Sequence, residues 1–488
     1  MKKSVIILVL FVFTNLRVNA QTGVFYQMNN DCYNRPSEVV STIDGGFLFA
    51  NNSAPQGTLY YNSTFIKLSS EGFVTNSYCL SHYHTAYCPI VIEGCDGYYH
   101  IIGLAKQSLN DTVYLVAYSV SQQLELLDSL QIPLTTGNIE HVICDVKNDS
   151  TFIVAAMTLD PNSLSITSLY IVEIDWDFLN YRVVNIANDY YTYIFSMCYS
   201  SVTSSYFATA WGFSQNVTDP HSKLLVLDTS FRVTSVFNFS GGVRNGRSIH
   251  LLNDTTLRYA ANLETTSMNS QDIVSVNESL THNELSRIVI GSSDTTDAVS
   301  TFQTIIPCEN GSEWVFYMKN YNSQTLFPCQ PSWLSWCRIN SEMVCEIQYF
   351  YGGDSYYHLL HASELNNKDM MLSVSKFDVF SGSNTTDALL LKINSDGLLT
   401  STPENPALQP HHAIVYPNPG HGVLKVEAGP QIFGATFELF DVSGQRVVQQ
   451  PIQTSVTAIN TAALASGVYP WRIIWKGEVV EEGKWVKE

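Results

Sequence analysis

Most of the chain alternates short apolar runs with polar turns, and it contains almost no helical periodicity. The runs are rich in Tyr, Phe, Val, Ile and Thr, and the breaks between them carry Gly, Asn, Asp and Ser. This combination is typical of β-strands joined by tight turns. The pattern therefore predicts an all-β protein.

Two landmarks recur in phase along the first four hundred residues. The first is a turn followed by an apolar strand, and it occurs as DGGFLFA (from Asp44), DGYYHIIG (Asp96), NDSTFIVAA (Asn148), SSYFATAW (Ser204), NDTTLRYAA (Asn253), NGSEWVFYM (Asn310) and NKDMMLSVS (Asn367). The second is a strand that ends in a polar turn. It trails each copy of the first, from TFIKLSSEG to LLLKINSDG, at intervals of about 48 to 61 residues.

A period of this size, with about four strands per copy, matches one blade of a β-propeller. Seven copies predict seven blades, and six or eight remain open because copies three to six are degenerate. Closing the ring would protect the first and last blades. We expect GVFYQM, near the N-terminus, to be the closing outer strand, with its partner in the last blade near residues 398–402 (LLTST).

The first and last copies are the clearest. They resemble secreted propeller repeats built on a T-x-DGG-apolar … KL-x-x-DG pattern, which are common in exported proteins of the Bacteroidota. The resemblance implies a propeller but no single activity, because a fold does not fix a function.

The first twenty residues have the pattern of a secretory signal peptide. Lys2 and Lys3 form a positive start, an apolar segment follows to Phe13, and Val18-Asn19-Ala20 fits a cleavage site loosely. We expect Gln21 to begin the mature chain. No later apolar stretch reaches 18 residues, so no transmembrane segment is expected after signal removal.

From Ala413 the pattern changes to short strands separated by AGP, SGQ, ASG and KGE, which predicts a small Ig-like antiparallel sandwich. The strands are VLKVEA, FELFDV, RVVQQ, VYPWRIIW and EGKWVKE. In the fourth, Tyr469, Trp471, Ile473 and Trp475 share one face. Pro470 must sit at an edge or a strand start, because it has no N–H to donate.

This tail resembles the type A C-terminal sorting domain of proteins exported by the type IX secretion system. The resemblance rests on YPNP (416–419), GVLKVE (422–427), LFDVSGQRV (439–447), INTAALASGVY (459–469) and the terminal GKWVKE. The motif residues that it marks are Tyr416, Pro417, Asn418, Pro419, Gly422, Gly444, Gly467, Tyr469 and Lys487. Pro470 and the terminal Glu488 depart from the usual pattern.

The resemblance implies recognition of the tail by the type IX machinery and delivery to the cell surface or the medium, commonly with removal of the tail. The chain is then divided into a signal peptide (1–20), a propeller (21–402), an exposed linker (403–412), where cleavage is expected, and a sorting domain (413–488).

Charge and cysteines narrow the choice of partners. Residues 21–411 carry 16 basic and 37 acidic side chains, so nucleic acid or an anionic membrane would be repelled. Ten cysteines in an exported chain favour disulfides, including short bridges within the group Cys79, Cys88 and Cys95 and within the group Cys308, Cys329, Cys337 and Cys345, with the connectivity left open. The cluster Cys79-x2-His82-x-His84-x3-Cys88 has metal-ligand spacing, but a disulfide with nearby histidines is the favoured interpretation.

No assembled catalytic motif, cofactor site or metal site is identified from the sequence. The leading hypothesis is a non-enzymatic module that binds a surface glycan or a protein. The alternatives are a hydrolase or lyase with catalytic residues on several blade loops, and a structural part of a surface motility machine. Most aromatic residues are expected in blade cores, with the YYH runs at 98–100 and 356–358 and NDYYTY at 188–193 as candidate exceptions.

Overall fold

The computed structural model of the protein describes residues 24–488 apart from short gaps. The gaps are residues 29–30, 57, 59, 81–82, 95, 109–110, 149, 160–165, 187–189, 215–220, 240–241, 265–270, 292–294, 309–310, 323–327, 329, 382–383 and 401–410. The expected signal peptide, Gln21 and most of the expected linker therefore lie outside the described residues.

The first 29 strands form seven antiparallel sheets. In chain order they are β1 (Val24–Met28); β2 (Cys32–Ser41), β3 (Phe47–Pro55), β4 (Asn62–Leu68) and β5 (Val74–Cys79) in blade 1; β6 (Thr85–Glu93), β7 (Tyr99–Lys106), β8 (Thr112–Val120) and β9 (Leu126–Thr136) in blade 2; β10 (Asn138–Asn148), β11 (Thr151–Leu159), β12 (Ile166–Asp175) and β13 (Tyr181–Asn185) in blade 3; β14 (Tyr190–Ser200), β15 (Ser205–Ser214), β16 (His221–Asp228) and β17 (Val233–Asn238) in blade 4; β18 (Val243–Asn253), β19 (Thr256–Glu264), β20 (Gln271–Ser279) and β21 (Glu284–Ile290) in blade 5; β22 (Ala298–Val299), β23 (Ile305–Pro307), β24 (Glu313–Lys319), β25 (Trp333–Ile339) and β26 (Cys345–Gly352) in blade 6; and β27 (Tyr356–Glu364), β28 (Met370–Phe377) and β29 (Asp387–Ile393) in blade 7.

This arrangement is a seven-bladed β-propeller, as the repeat count predicted. First strands of neighbouring blades contact one another, as β6 contacts β2 and β10, β14 contacts β10 and β18, and β27 contacts β2 and β23. At the junction of blades 5 and 6, β22 contacts β19 and β20. The first strands therefore form the innermost ring. The large core clusters are shared between neighbouring blades. For example, Leu104 of β7 and Leu115 of β8 pack with Phe152 and Val154 of β11. Face-to-face packing of this kind buries the sheet faces that a lone blade would expose.

The ring is closed by the N-terminal strand, as expected, but the predicted pairing partner was wrong. β1 pairs with β29, with Tyr26 opposite Leu390 and Met28 opposite Ala388. Of the expected partner residues, 398–400 are described and supply no partner strand for β1, and Leu399 makes an isolated bridge to Ile393. The third strand of blade 7 has a free edge, and β1 fills it directly.

The repeat pattern has a physical basis in the two clearest copies. In blade 1, Lys67 on β4 reaches back to Asp44 in the turn before β3, with 2.5 Å between Nζ and Oδ2. In blade 7, Lys392 on β29 makes the equivalent pair with Asp369, at 3.1 Å. The Asp and Lys of the repeat therefore join a turn to the third strand of its own blade.

The C-terminal residues form a two-sheet sandwich. One sheet contains β30 (Ala413–Tyr416), β31 (Val423–Ala428) and β34 (Val456–Asn460). The other contains β32 (Thr436–Phe440), β33 (Arg446–Pro451), β35 (Gly467–Trp475) and β36 (Glu478–Lys487), and a 3₁₀ turn spans Pro430–Ile432. The five predicted strands are present, whereas β30 and β34 were not predicted.

The alternation in β35 is confirmed. Tyr469, Trp471 and Ile473 are buried in the sandwich core, and Trp475 packs against it. The pairing of β35 with β32 begins at Trp471, so Pro470 lies just outside it. Pro470 therefore occupies the expected edge position. Its missing N–H therefore costs no hydrogen bond to that strand.

Candidate functional site

The first, innermost strands of the blades are irregular part-way along their length. Their register with the second strand shifts between Pro36 and Val39, Tyr87 and Ile90, Ile139 and His141, Ile194 and Ser196, Arg244 and Ser248, and Leu359 and His361. In blade 6 the inner strand is split into β22 and β23. Such bulges re-aim side chains, and here they form a ring around the central channel.

An aromatic stack crosses the channel at this level. The Phe302 ring of blade 6 lies between His141 of blade 3, with centroids 4.8 Å apart, and His361 of blade 7, at 4.2 Å. The ring planes are nearly parallel, at 7° and 9°. All three side chains are buried. Because blade 3 is not adjacent to blades 6 and 7, the stack closes the channel as a floor.

Two arginines lie beside this floor. Arg247 of blade 5 rests on the Phe195 ring, with 3.8 Å between Cζ and the centroid, and its Nη1 donates to the Thr301 carbonyl oxygen at 3.3 Å. The aromatic face and the carbonyl fix the guanidinium while leaving it half-buried. Arginine stacks well because its planar group is weakly hydrated.

Arg35 of blade 1 is held in a similar way. Its guanidinium lies over Tyr87, 5.5 Å from the centroid, and donates a hydrogen bond to the Tyr61 hydroxyl. Tyr61 also contacts Tyr87 and Tyr33, at 5.3 and 6.3 Å between centroids. Among the described residues, neither Arg35 nor Arg247 lies within ion-pair distance of a carboxylate. We refer to this region as the channel pocket, and its residues are Arg35, Tyr61, Tyr87, Glu140, His141, Tyr193, Phe195, Arg247, Thr301, Phe302, Tyr321, His358 and His361.

The histidines of the channel pocket are neutral at physiological pH. Burial, with Arg35 nearby, lowers the pKa of His358 and of His361 to about 3. Burial also lowers the pKa of His141, and Arg247 and Arg35 act in the same direction. The arginines are thus the permanent cations, and the imidazoles offer neutral hydrogen-bonding groups.

Glu140 is the acidic group of the channel pocket. Burial raises the pKa of its carboxyl, whereas a hydrogen bond from Tyr193 and the charge of Arg35 lower it. Among the named residues of the channel pocket there are thus one carboxyl, near Arg35, and two arginines, which gives this part of an acidic protein a surplus of positive charge.

A second polar group lies further along the inner strands. Burial raises the pKa of Glu38 on β2 to about 7 and the pKa of Asp145 on β10 to about 7. Both carboxyls contribute to the raised pKa of Cys144, so they flank this thiol. We refer to Glu38 and Asp145 as the carboxyl pair.

The aromatic runs singled out in the sequence divide between core and channel. His358 of the run at 356–358 and Tyr193 of the run at 188–193 reach the channel pocket. Tyr99 and His100 of the run at 98–100 are buried away from it, and His100 packs against Trp176 at 4.9 Å. The arginines and Phe302 were missed. No linear motif marks these three residues, because each lies in a different blade.

The disulfides expected from the sequence are not present among the described cysteines. Cys32, Cys79, Cys88, Cys144, Cys198, Cys308, Cys337 and Cys345 are free thiols in the structure, and Cys95 and Cys329 lie outside the described residues. Of the possible metal cluster, His82 is also outside them, while Cys79 and His84 are exposed and Cys88 is buried. Within the described part of the chain, no group of three or more His, Cys, Asp and Glu side chains could hold a metal ion.

In the tail, the first and last motifs meet. Asn418 donates to the Lys484 carbonyl oxygen and accepts from the Val486 amide, both at 2.9 Å. The Trp485 indole donates to the Pro417 carbonyl oxygen at 2.8 Å. Pro419 is exposed between these contacts. The YPNP turn is therefore fastened to the terminal strand.

The remaining motif residues lie at different distances from this junction. Lys487 pairs with Gly467 across the β35–β36 ladder, and its Nζ donates to the His421 carbonyl oxygen at 2.7 Å. The Tyr469 ring lies 6.0 Å from that of Trp485. Gly422 accepts a hydrogen bond from Thr461, and Gly444 lies in the remote β32–β33 turn with φ +83°.

The tail packs against blade 6. His411, just before β30, exchanges two backbone hydrogen bonds with Phe350 of β26, at 2.8 and 3.0 Å. The side-chain amide of Gln431 donates to the backbone carbonyl oxygen of Gln348 at 2.7 Å and accepts a hydrogen bond from the backbone N–H of Gln348 at 3.2 Å. Tyr416, the first residue of YPNP, is buried with Phe350. The two domains therefore share an interface.

A buried ion pair crosses this interface. Nζ of Lys319 on β24 lies 2.5 Å from Oε2 of Glu427 on β31, and the two side chains are 0% and 2% exposed. The Tyr416 hydroxyl donates to the same oxygen at 3.2 Å. Asp297 lies 4.0 Å from the same Nζ.

Comparison with known proteins identifies the tail. Residues 414–488 match the sequence model of a family described as the secretion system C-terminal sorting domain. The chain ends in a type IX sorting domain. A domain of this kind indicates secretion to the cell surface or the extracellular medium. No match was found among curated proteins.

Similar solved structures are distant. PorZ, a surface component of the type IX secretion system of Porphyromonas gingivalis, is 9% identical with a TM-score of 0.24, over 96% of this chain and 82% of that one. The propeller domain of the Trilobed protease from Pyrococcus furiosus is 8% identical with a TM-score of 0.40, over 78% and 100%. A protein of unknown function from Dyadobacter fermentans is 12% identical with a TM-score of 0.42, over 77% and 98%. The fold assignment rests on the sheet topology itself.

The described residues include no helix long and apolar enough to span a membrane.

Proposed function

We propose that this exported propeller is a binding module that takes a glycan at the channel pocket. The observation that carries the proposal is the aromatic stack at Phe302 in the central channel, where two arginines and several neutral polar groups converge. Aromatic rings with a few well-placed polar groups are typical of ligand sites. The sorting domain would place this pocket outside the cell.

The test is binding by the full-length protein on an array of bacterial surface polysaccharides and defined oligosaccharides, followed by analysis of the bound sugars. We expect at least one glycan to be retained unchanged, and a Phe302→Ala variant to lose that retention because the floor is removed. A matched control is Phe380→Ala, since Phe380 is 81% exposed in the connection between β28 and β29 and is not a residue of the channel pocket. Cleavage of the retained glycan would contradict a pure binding role.

The carboxyl pair favours a second candidate, an extracellular glycoside hydrolase or lyase. Carboxyls whose pKa is raised towards neutrality are suited to general acid–base work, and burial raises the pKa of both Glu38 and Asp145 to about 7. Turnover that is abolished by Glu38→Gln would support this candidate over the binding module.

We also propose that Cys337 and Cys345 form a disulfide in the exported protein. They lie on paired strands of blade 6, and their thiols are within hydrogen-bonding distance. The two thiols would pass two electrons and two protons to a disulfide-bonded oxidant of the export compartment. In mass spectrometry of protein denatured with an alkylating agent but no reductant, the 337–345 pair should stay unlabelled while Cys79 is labelled. Alkylation of both thiols would refute the bond.

The division of the chain into residues 1–20, 21–402, 403–412 and 413–488 is likewise a proposal, with removal of the signal peptide and cleavage in the linker. We propose that recognition by the type IX machinery depends on the motif residues from Tyr416 to Lys487, of which the buried tyrosines would maintain the fold. A source among the Bacteroidota agrees with the sorting domain.

A further inference from the structure

Two permanent cations of the channel pocket converge from different blades. Arg35 belongs to blade 1 and Arg247 to blade 5, yet both guanidinium charges act on His141, His358 and Tyr193. The contacts place both arginines beside Phe302: Arg35 lies over Tyr87, which packs with Phe302, and Arg247 donates to the carbonyl oxygen of Thr301, the residue before Phe302. The two arginines therefore lie around the same part of the channel.

These half-buried cations differ from three fully buried cations elsewhere in the protein. Lys67, Arg258 and Lys319 each lie within 3.0 Å of a carboxylate oxygen. Arg35 and Arg247 are instead held by aromatic rings, a hydroxyl and a carbonyl, with no carboxylate in ion-pair range among the described residues. Buried charges are normally paired, so the pocket has the charge pattern of a site for an anion. A guanidinium is suited to a carboxylate because it can donate two parallel hydrogen bonds.

The floor carries polar atoms that lack a partner. Nε2 of His141 and Nε2 of His361 make no hydrogen bond to any residue that the structure describes, although the two residues are only 3% and 2% exposed. Unmet hydrogen-bonding groups are rare in protein interiors and call for an explanation. A neutral imidazole has one donor and one acceptor nitrogen, and a sugar hydroxyl can serve either.

We propose, on the basis of the function proposed above, that the channel pocket binds an acidic sugar residue, with its carboxylate between Arg35 and Arg247 and its hydroxyls towards His141 and His361. The surrounding tyrosine and phenylalanine rings would contact the apolar face of the sugar ring. An acidic peptide would satisfy the arginines but would bring no hydroxyls for the ring nitrogens, so the acidic sugar is the better fit.

The test compares two matched ligands on the unmodified full-length protein by titration calorimetry: a trigalacturonate and the neutral trigalactose of the same linkage. We expect the acidic trisaccharide to bind about tenfold to hundredfold more tightly, the usual range for hydrogen bonds to a charged group. Raising the salt concentration should reduce this preference, because screening weakens the ionic contribution.

Variants assign the preference to residues. Arg35→Gln and Arg247→Gln should each reduce the affinity for the acidic trisaccharide about tenfold or more and leave the affinity for the neutral one little changed. Arg232→Gln is the matched control, because Arg232 is exposed in the turn between β16 and β17. Thermal unfolding of each variant reports whether it is folded, and Arg247→Lys provides a variant that keeps the charge and should retain part of the preference.

The outcomes separate this proposal from the proposed function. Equal binding of the acidic and neutral sugars would overturn the acidic preference while the glycan-binding function stands. Binding of oligoglutamate, without binding of either sugar, would overturn both in favour of a peptide ligand. Loss of acidic-sugar binding in Arg232→Gln to the same extent as in Arg247→Gln would show that the pocket is not the site.

Discussion

A Lys319→Met substitution should detach the sorting domain from the propeller. The experiment inserts a protease site within residues 401–410, cuts the chain there and measures the dissociation constant between the two pieces. The uncut interface contains the strand pairing of His411 with Phe350, which lies outside the cut segment. We expect the wild-type pieces to remain together and the variant pieces to separate on dilution.

The expected size follows from the burial of the ion pair. Lys319→Met leaves the Glu427 carboxylate in the interface without its cation, and removing one partner of a buried pair costs about 3–5 kcal/mol. That corresponds to a dissociation constant raised by about two to three and a half orders of magnitude. Glu427→Gln should have a smaller effect, because Asp297 remains 4.0 Å from the Lys319 Nζ.

The control is Lys368→Met. Lys368 and Glu364 form a pair at 3.0 Å whose side chains are 58% and 39% exposed, and such surface pairs contribute about 0–1 kcal/mol. The dissociation constant should hardly change in this variant. Separation of the wild-type pieces immediately after cleavage would contradict a stable docked state, as would equal behaviour of the Lys319 and Lys368 variants.

The blades could be predicted from the sequence because each is local. A turn and two or three apolar strands lie within about fifty residues, and alternation marks the faces that pack. Closure was only half predictable. β1 has the composition of an outer strand, but the choice between β29 and the residues after Ile393 depends on which edge is free in three dimensions, and periodicity carries no information on that.

The channel pocket is the opposite case. Arg35, Glu140, Arg247 and Phe302 are far apart in the chain, one to a blade, and none forms a motif with its neighbours. Only ring closure brings their strands to one axis, and only the bulges turn their side chains inward. A search for linear motifs misses such a site by construction.

The tail shows an intermediate case. YPNP and GKWVKE were both recognised, but their contact was not predicted. Asn418 reaches residues 66 and 68 positions away, and the burial of Tyr416 against blade 6 depends on the propeller as well. Sequence similarity thus identified the domain, whereas the role of its first tyrosine in an interface required the structure.

Removing β1 should destabilise the whole propeller. In a chain that begins at residue 29, blade 7 would have three strands and β29 would expose an unpaired edge, which favours aggregation. The loss includes the ladder to β29 and the Phe25 side chain, which is 8% exposed and packs edge-on against Phe47 of blade 1 at 5.1 Å. We expect a large fall in the midpoint of chemical unfolding, together with concentration-dependent association.

A point variant separates packing from strand pairing. Phe25→Ala keeps the β1 backbone but empties its place in the core shared by blades 7 and 1, and such truncations cost about 3–5 kcal/mol when the side chain is fully buried. Phe73→Ala is the control, since Phe73 is 72% exposed and its loss should change the free energy of unfolding by less than about 0.5 kcal/mol. If the truncated chain unfolds at the wild-type midpoint and stays monomeric, β1 does not close the ring. If Phe25→Ala is as stable as Phe73→Ala while the truncation is not, closure depends on the backbone ladder alone.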